Sequence, residues 1–335
     1  MADQSDNDLE TAPLGEFGRI ARMLRPLSDG FPGARGLRDD AALLDVPAGQ
    51  RLVMTTDTLV AGVHFIGDET PGDIAAKLMR VNLSDLAGMG ARPFCYSLNL
   101  ALPTSVDDAW LAAFCDTLGQ EQSRFALHLA GGDSVTTPGP ITLGLTAFGL
   151  VANGAALHRD GAQAGDDIWV SGTIGDGLLG LEAARHHAFG DHADYLIARY
   201  RRPSPRLALG QALGGVAHGG LDISDGLIAD LGHLGAESGL MAEIECPLVP
   251  LSEAAGEALA DDPDRFPDLL TGGDDYELLI AAAPSARQAV LDAGAACETP
   301  MTRIGTMLAG AAGTVVARDG DGTALSFART GYRHG

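Results

Sequence analysis

Carboxylates recur where the apolar runs of this chain begin or end. Asp39-Asp40 precedes Ala41–Val46, Thr55-Thr56-Asp57 follows the run Arg51–Met54, and Gly131-Gly132-Asp133 follows Ala126–Ala130. Later come Asp222-Ile223-Ser224-Asp225-Gly226 and Gly272-Gly273-Asp274-Asp275-Tyr276-Glu277. A chain punctuated in this way calls for many short elements, with polar groups gathered at their ends. Its 45 glycines allow tight turns and close backbone approaches, and with aromatics at 5% the core must be built from Ala, Leu and Val.

The charge balance narrows the partners. A net charge of −23 repels a nucleic-acid duplex or an anionic membrane surface, so neither is expected as a partner. Lys77 is the only lysine and follows Ala76, which excludes a Gly-Lys-Ser/Thr phosphate loop. Cys95, Cys115, Cys246 and Cys297 are scattered, with no Cys-x-x-Cys pair, and read as reduced core thiols. The acidic N-terminus lacks the basic and apolar regions of a signal peptide, and the apolar stretch Leu143–Leu157 is interrupted and too short to span a bilayer. A cytoplasmic location is expected.

The elements alternate as in α/β and α+β folds. A helix is predicted over 16–27, strands at 41–46 and 51–57, and a helix opened by Thr70-Pro71, an N-cap followed by proline at the first helical position. That helix carries Leu78, Asn82, Asp85 and Met89 on one face and stops at Gly90. A strand at 94–102, a helix at 106–123, and strands at 126–130 and 141–151 complete the first half. The polar, glycine-containing stretch from Arg159 to Gly165 marks a domain boundary, giving a disordered tail at 1–14 and domains at 15–160 and 161–335. In the second half helices are predicted over 176–187, 192–200, 205–217, 225–238, 252–260 and 285–293, with strands near Leu221, Met241, Glu277, Ile304 and Val315.

Hard oxygen donors supplied singly from several loops suit Mg²⁺, which keeps waters and shares its remaining positions with substrate phosphates. With lysine nearly absent, metal ions and arginine would have to neutralise a nucleotide triphosphate. Each motif also has a structural reading. Ser224 can N-cap the helix carrying Leu227, Leu231 and Leu234, Thr55–Asp57 can be a strand end, and Asp133 after two glycines can be a turn. It is their accumulation that points to a polyphosphate site. Gly175-x-Gly177-x-x-Gly180 matches the dinucleotide fingerprint, but a helix-like stretch stands where a second strand ending in an acid should follow. His64 lies in the loop after the Thr-Thr-Asp strand, either at the site or on the surface.

Taken in order, GEFGRI, RDDAALL, TTDTLVAGVHF, VNLSDLAGMGA, LAGGD, GLDISDGLIADLGH and GGDDYELL resemble the thiamine-monophosphate kinases, from about Gly15 to Tyr332. That family belongs to the superfamily of aminoimidazole ribonucleotide synthetase and selenophosphate synthetase. The resemblance implies a two-domain α/β and α+β fold. Its N-terminal mixed sheet dimerises with a second copy, its C-terminal domain is α/β, and ATP lies in a cleft between them. It implies Mg²⁺ ligation by Asp40, Thr55, Thr56, Asp57, Asp85, Asp133, Asp222 and Asp225. It implies ATP contacts from Gly132, Arg159 and Ser224, and thiamine monophosphate contacts from His64, Asp274 and Tyr332. The implied reaction is in-line transfer from ATP to the substrate phosphate, with several Mg²⁺ ions and no dedicated catalytic side chain.

The chain departs from the family pattern at three places. Arg38 stands where glycine precedes the Asp pair, Asp274 replaces a glutamate, and the terminal aromatic after His334 is replaced by Gly335. The competing readings are another ATP-dependent enzyme of the superfamily and a non-catalytic divalent-metal-binding protein. Against specific cousins, no cysteine lies before Asp39, as selenophosphate synthetase needs, nor at the C-terminus, as a hydrogenase-maturation dehydratase needs.

Overall fold

The structure, a computed structural model, describes residues 14–332, so most of the predicted tail and the Gly335 terminus lie outside the described residues. The chain divides into two compact units. One takes the chain up to Asp45 together with Thr56–Met79 and Phe94–Ala147; the other takes Val46–Thr55, Arg80–Pro93 and everything from Phe148 onward.

The N-terminal helix is present but irregular. α1 (Glu16–Arg19) continues as a wide turn over Ile20–Leu24 and a tight turn over Arg25–Ser28. Pro26 lacks the N–H that a regular helix would need there. The course is pinned by Asp108, which accepts from the Leu14 amide at 2.7 Å and from Arg19 Nε at 2.6 Å. Burial leaves α2 (Pro71–Gly88) almost without an exposed face, and Thr70 caps it as expected, its hydroxyl accepting from the Asp73 amide at 3.1 Å.

A four-stranded sheet has the order β1 (Gln50–Val60), β4 (Thr142–Ala152), β2 (Arg92–Leu102), β3 (His128–Thr136), with α3 (Asp108–Phe125) between β2 and β3 in the chain. β2 and β3 run parallel from Cys95 opposite His128 to Leu102 opposite Thr136, with Ala130 an extra residue where the register shifts. Two sequence expectations need correction. Ala42–Val46 forms no ladder: Leu43 and Val46 are exposed, and an extended run becomes a strand only when a neighbour takes its backbone groups. Gly131-Gly132-Asp133 lies within β3, not in a turn after it. Gly132 sits so close to β2 that a Cβ would meet Leu98 O at 1.9 Å, so only glycine carries the strand past that point.

The second unit holds a six-stranded sheet in the order β10 (Val315–Arg318), β7 (Met241–Glu245), β9 (Met301–Leu308), β5 (Asp167–Ser171), β8 (Glu277–Ala282), β6 (Gly219–Ile223). All pairings are antiparallel except β10 with β7. Its helices are α4 (Asp176–His186), α5 (Ala193–Arg201), α6 (Leu207–Leu213), α7 (Leu227–Ser238), α8 (Glu253–Asp261), α9 (Phe266–Thr271) and α10 (Arg287–Ala296). α6 is shorter than predicted, and α9 was not predicted. Leu227, Ile228, Leu231 and Leu234 of α7 join Ile168, Leu279 and Ile304 of the sheet in one core, where each buried Leu or Ile contributes roughly 1.5–3 kcal/mol. A second cluster gathers Leu179, Leu196, Ala255 and Leu269 among α4, α5, α8 and α9. No helix among the described residues is long and apolar enough to cross a membrane.

At the start of β5, buried Asp167 accepts from Arg287 Nε at 2.6 Å and from Arg303 Nε at 2.5 Å, and these donors, Arg287 foremost, hold its carboxyl below the usual range. A carboxyl depressed in the folded state stabilises above the unfolded pKa of about 3.9, and that stabilisation is lost as pH falls through the folded value. Asp167→Asn is expected to lower Tm at pH 7 by about 2–4 °C, with the deficit shrinking as pH falls below about 4, as thermal melts across that range would show.

Candidate active site

In the second unit the predicted ligands come from three places in the chain. Asp85 lies near the end of α2 and accepts a short hydrogen bond from Thr55 Oγ1 of β1. Burial pushes the Asp85 carboxyl up, opposed by the Thr55 hydroxyl and the positive charge of Arg159. One residue earlier, Ser84 Oγ donates to Asp222 Oδ2 at 2.6 Å, so β6 presents its buried acid to the same turn of α2. Gly88 permits this approach, since a Cβ there would lie 3.0 Å from the Asp222 amide.

Beyond β6 the chain turns through Ser224, Asp225 and Gly226. Ser224 does not cap α7: Gly226 holds the N-cap position, at φ +116°, and no side chain caps there. The task falls to Asp230, inside the helix, whose Oδ2 accepts from the amides of Ser224 and Asp225 at 3.0 Å and of Gly226 at 3.2 Å. Ser224 and Asp225 are thereby relieved of capping. Burial, with the charge of Asp225 adding to it, pushes the Asp230 carboxyl up to about 7. Oxygens of Asp225 and Asp230 and a ring nitrogen of His233 lie within 4.8 Å of one another.

The carbonyls of this turn collect the predicted substrate residues. Ser224 O accepts from the Asp274 amide at 2.9 Å, Ile223 O from Tyr276 at 2.8 Å, and Asp225 O from Tyr332 at 3.0 Å. Asp274 and Tyr276 both have left-handed backbones, with φ of +71° and +52°, and Tyr276 Oη donates to Asp274 Oδ1 at 3.0 Å. Arg159 is exposed, and its backbone carbonyl accepts from Ser238 Oγ at 2.8 Å.

In the first unit Asp40, Gly132 and Asp133 line one cavity of about 260 Å³ with Glu16, Ile20 and Leu98. Asp133 Oδ1 accepts from the Ser134 amide at 2.9 Å. On β1 the pleat separates Thr56 from its neighbours: its hydroxyl donates to Leu145 O at 3.2 Å and accepts from Thr146 at 3.1 Å. His64 Nδ1 accepts from the Val60 amide at 3.1 Å, which leaves the proton of the neutral ring on Nε2 and ties the loop to its strand. Asp57 is half-buried within β1, and Arg38 is exposed.

The predicted donor set consists of carboxylates and hydroxyls, with no thiolate or imidazole, and so fits Mg²⁺. The raised Asp85 carboxyl fits as well, because a divalent cation offsets the cost of keeping a buried carboxylate charged. The sequence assigns no role to Asp230, and Asp275 and Glu277 enter only as members of the Gly272–Glu277 acid motif. The only signal for Asp230 was an acid in the first turns of an apolar helix.

Residues 38–151 match the family model for the N-terminal domain of AIR synthase related proteins, and residues 163–318 match the model for the C-terminal domain. The thiamine-monophosphate kinase of Escherichia coli (strain K12) is 43% identical over 325 residues, covering 96% of this chain and 98% of that protein. A crystal structure of the thiamine-monophosphate kinase from Stenotrophomonas maltophilia K279a, 41% identical, superposes with a TM-score of 0.78, covering 86% of this chain and 91% of that one. AaThiL complexed with AMPPCP and TMP, 29% identical, gives 0.75, covering 96% and 97%. With the kinase motifs in order along the chain and both family domains matched, the chain belongs to the thiamine-monophosphate kinase family of the AIR synthase related proteins.

Proposed function

We propose that the protein transfers the γ-phosphoryl group of ATP directly to the phosphate of thiamine monophosphate, giving thiamine diphosphate and ADP. The observation that carries this reading is the turn at Ser224–Asp225, where the carbonyl of Ser224, assigned to ATP, accepts from the Asp274 amide and that of Asp225, assigned to a metal ion, accepts from the Tyr332 amide, Asp274 and Tyr332 being the residues assigned to the acceptor. A metal-binding protein without turnover has no use for an acceptor pocket at that point. The complex of AaThiL with AMPPCP and TMP supports the same pair of ligands.

In one unit Asp40, Thr56, Asp57 and Asp133 would hold Mg²⁺, and in the other Thr55, Asp85, Asp222 and Asp225 would do so. When bound, Mg²⁺ neutralises charge on the phosphate oxygens. Gly132, Arg159 and Ser224 are assigned to ATP, and Arg159 would supply positive charge to the phosphates. His64, Asp274 and Tyr332 are assigned to thiamine monophosphate. The acceptor phosphate has a second pKa of about 6 and is largely ionised at neutral pH, so no side chain need deprotonate it. Tyr332, about half exposed at 49%, can face the cationic thiazolium, an attraction of about 0.5–2 kcal/mol.

Residues 15–160 are taken as the N-terminal ATP- and Mg²⁺-binding, dimerising domain and 161–335 as the C-terminal α/β domain. A homodimer is proposed because β1 is an edge strand with Leu52 and Met54 exposed, a surface that a second copy would cover. Four unpaired cysteines, three of them buried, suit the cytoplasm.

The direct test is formation of thiamine diphosphate with stoichiometric ADP from ATP and thiamine monophosphate; ADP formation indifferent to the acceptor would overturn the reading. Asp57→Asn and Asp85→Asn are each expected to lower kcat by about a hundredfold or more with unchanged circular dichroism, and full activity in both would remove the metal assignment. Arg159→Ala is expected to raise KM for ATP more than KM for thiamine monophosphate, and the reverse ranking would move Arg159 to the acceptor. Asp274→Glu, which lengthens the carboxylate by one methylene, is expected to lower KM for thiamine monophosphate or leave it unchanged, with kcat nearly constant. A collapse of kcat would place Asp274 at the reacting phosphates.

A further inference from the structure

The glycine pattern Gly175-x-Gly177-x-x-Gly180 does open a helix after a strand, as a dinucleotide fingerprint does. The anion at its N-terminus, however, is a carboxylate of this same chain. Asp275 Oδ1 and Oδ2 accept from the Gly175 amide at 3.0 and 2.9 Å, and Oδ1 accepts from the Gly177 amide at 3.0 Å. The glycines are explained by this contact. Gly175 is at φ +91°, and a Cβ on Gly177 would lie 2.4 Å from the Asp274 carbonyl carbon and 2.6 Å from Gly273 O. Gly180 lets α4 approach α5, where a Cβ would strike Leu196 O at 2.1 Å.

Asp275 stands between the two left-handed residues Asp274 and Tyr276. Neither adopts that backbone readily, so contacts on both sides must impose it. On one side the amides of Asp274 and Tyr276 donate to β6 and Ser224, as described above. On the other, the Asp275 carboxylate is seated on α4, while its carbonyl accepts from Arg199 Nη2 at 3.3 Å. The next acid along, Glu277, is equally buried: it takes Arg206 Nε at 2.7 Å and Nη2 at 2.5 Å, Arg199 Nη2 at 3.0 Å and Ser171 Oγ at 2.5 Å. The loop is therefore clamped at alternate residues, leaving Asp274 as the one whose carboxylate meets the Tyr276 hydroxyl instead of the α4 amides.

We infer that Asp275 is a positioning residue for the acceptor pocket: by occupying the N-terminus of α4 it closes that site to a phosphate and fixes the direction in which Asp274 presents its carboxylate. The role of Asp274 rests on the kinase reading, whereas the clamp itself does not.

The test uses the full-length enzyme with Asp275→Ala, Asp275→Asn and Gly177→Ala, compared with wild type. Asp275→Ala is expected to raise KM for thiamine monophosphate by about tenfold or more, with KM for ATP within about twofold. Asp275→Asn keeps one acceptor oxygen for the two amides and should recover part of the loss. Gly177→Ala should reproduce the effect without touching a carboxylate. In an Asp274→Ala background, Asp275→Asn should add little, because its effect runs through Asp274. Additive effects, or equal increases in the KM values of both substrates, would overturn the positioning role. Deuterium exchange of peptides spanning 173–178 and 272–278 reads the clamp without any substrate. Faster exchange in Asp275→Asn and Gly177→Ala is expected, and unchanged exchange would overturn the clamp whatever the chain phosphorylates. Wild-type enzyme that makes no thiamine diphosphate, yet shows faster exchange in the variants, would refute the kinase reading and leave the clamp standing.

Discussion

Two carboxylates at the entry to β8, those of Asp275 and Glu277, have almost no contact with water, and the shape of the acceptor loop depends on how they are compensated. An ionised carboxylate in such a place is tolerable only when every donor is in position, since removing one partner from a buried pair costs about 3–5 kcal/mol. Asp275 is met by backbone amides of a helix start, and Glu277 by two arginines and a serine. Burial nevertheless pushes the Asp275 carboxyl up to about 7, against the pull of those amides and of Arg199. Such compensation is steep in geometry: a loop displaced by an ångström loses several charge-assisted hydrogen bonds together. The loop is thus held in one arrangement, and the cost of left-handed Asp274 and Tyr276, of order 1–3 kcal/mol each, is met by neighbours outside the reacting groups.

The same economy runs through the rest of the second unit. Asp230 caps the Ser224–Gly226 turn from within its own helix, and so relieves the Ser224 and Asp225 side chains of capping. Asp222 takes the Ser84 hydroxyl and Asp85 that of Thr55, so that two candidate ligand acids are oriented by neutral donors. Had lysines or arginines bound them, the acids would have been neutralised and of little use to a divalent cation. In a chain of net charge −23 with a single lysine, Arg159 lends positive charge to Asp85.

The candidate site was legible because ligand chemistry is local. An acid or hydroxyl beside an apolar run can be read without knowing its neighbours, and Asp85, Asp222, Ser224 and Asp225 all stand out as candidates in this way. What was misread was geometry that depends on a second segment. Ser224 passes every local criterion for an N-cap, and only the reach of Asp230 back over the turn removes the role from it. Gly131-Gly132-Asp133 has the composition of a turn, yet β2 lies close enough to draw it into a strand. Ala41–Val46 has the composition of a strand, but none of the described residues gives it a ladder.

The sequence by itself determined the order and kind of most elements, the hard-oxygen character of the site and its kinship with the kinases, because apolar periodicity, capping residues and acid–glycine motifs act within a few residues of one another. Tertiary structure decided which of those acids became supports for neighbouring segments. The fingerprint at Gly175–Gly180 shows the difference. Its local form is that of a phosphate site, but a carboxylate a hundred residues further along the chain, desolvated by the packing of β8, takes the amides first and turns a binding motif into a clamp.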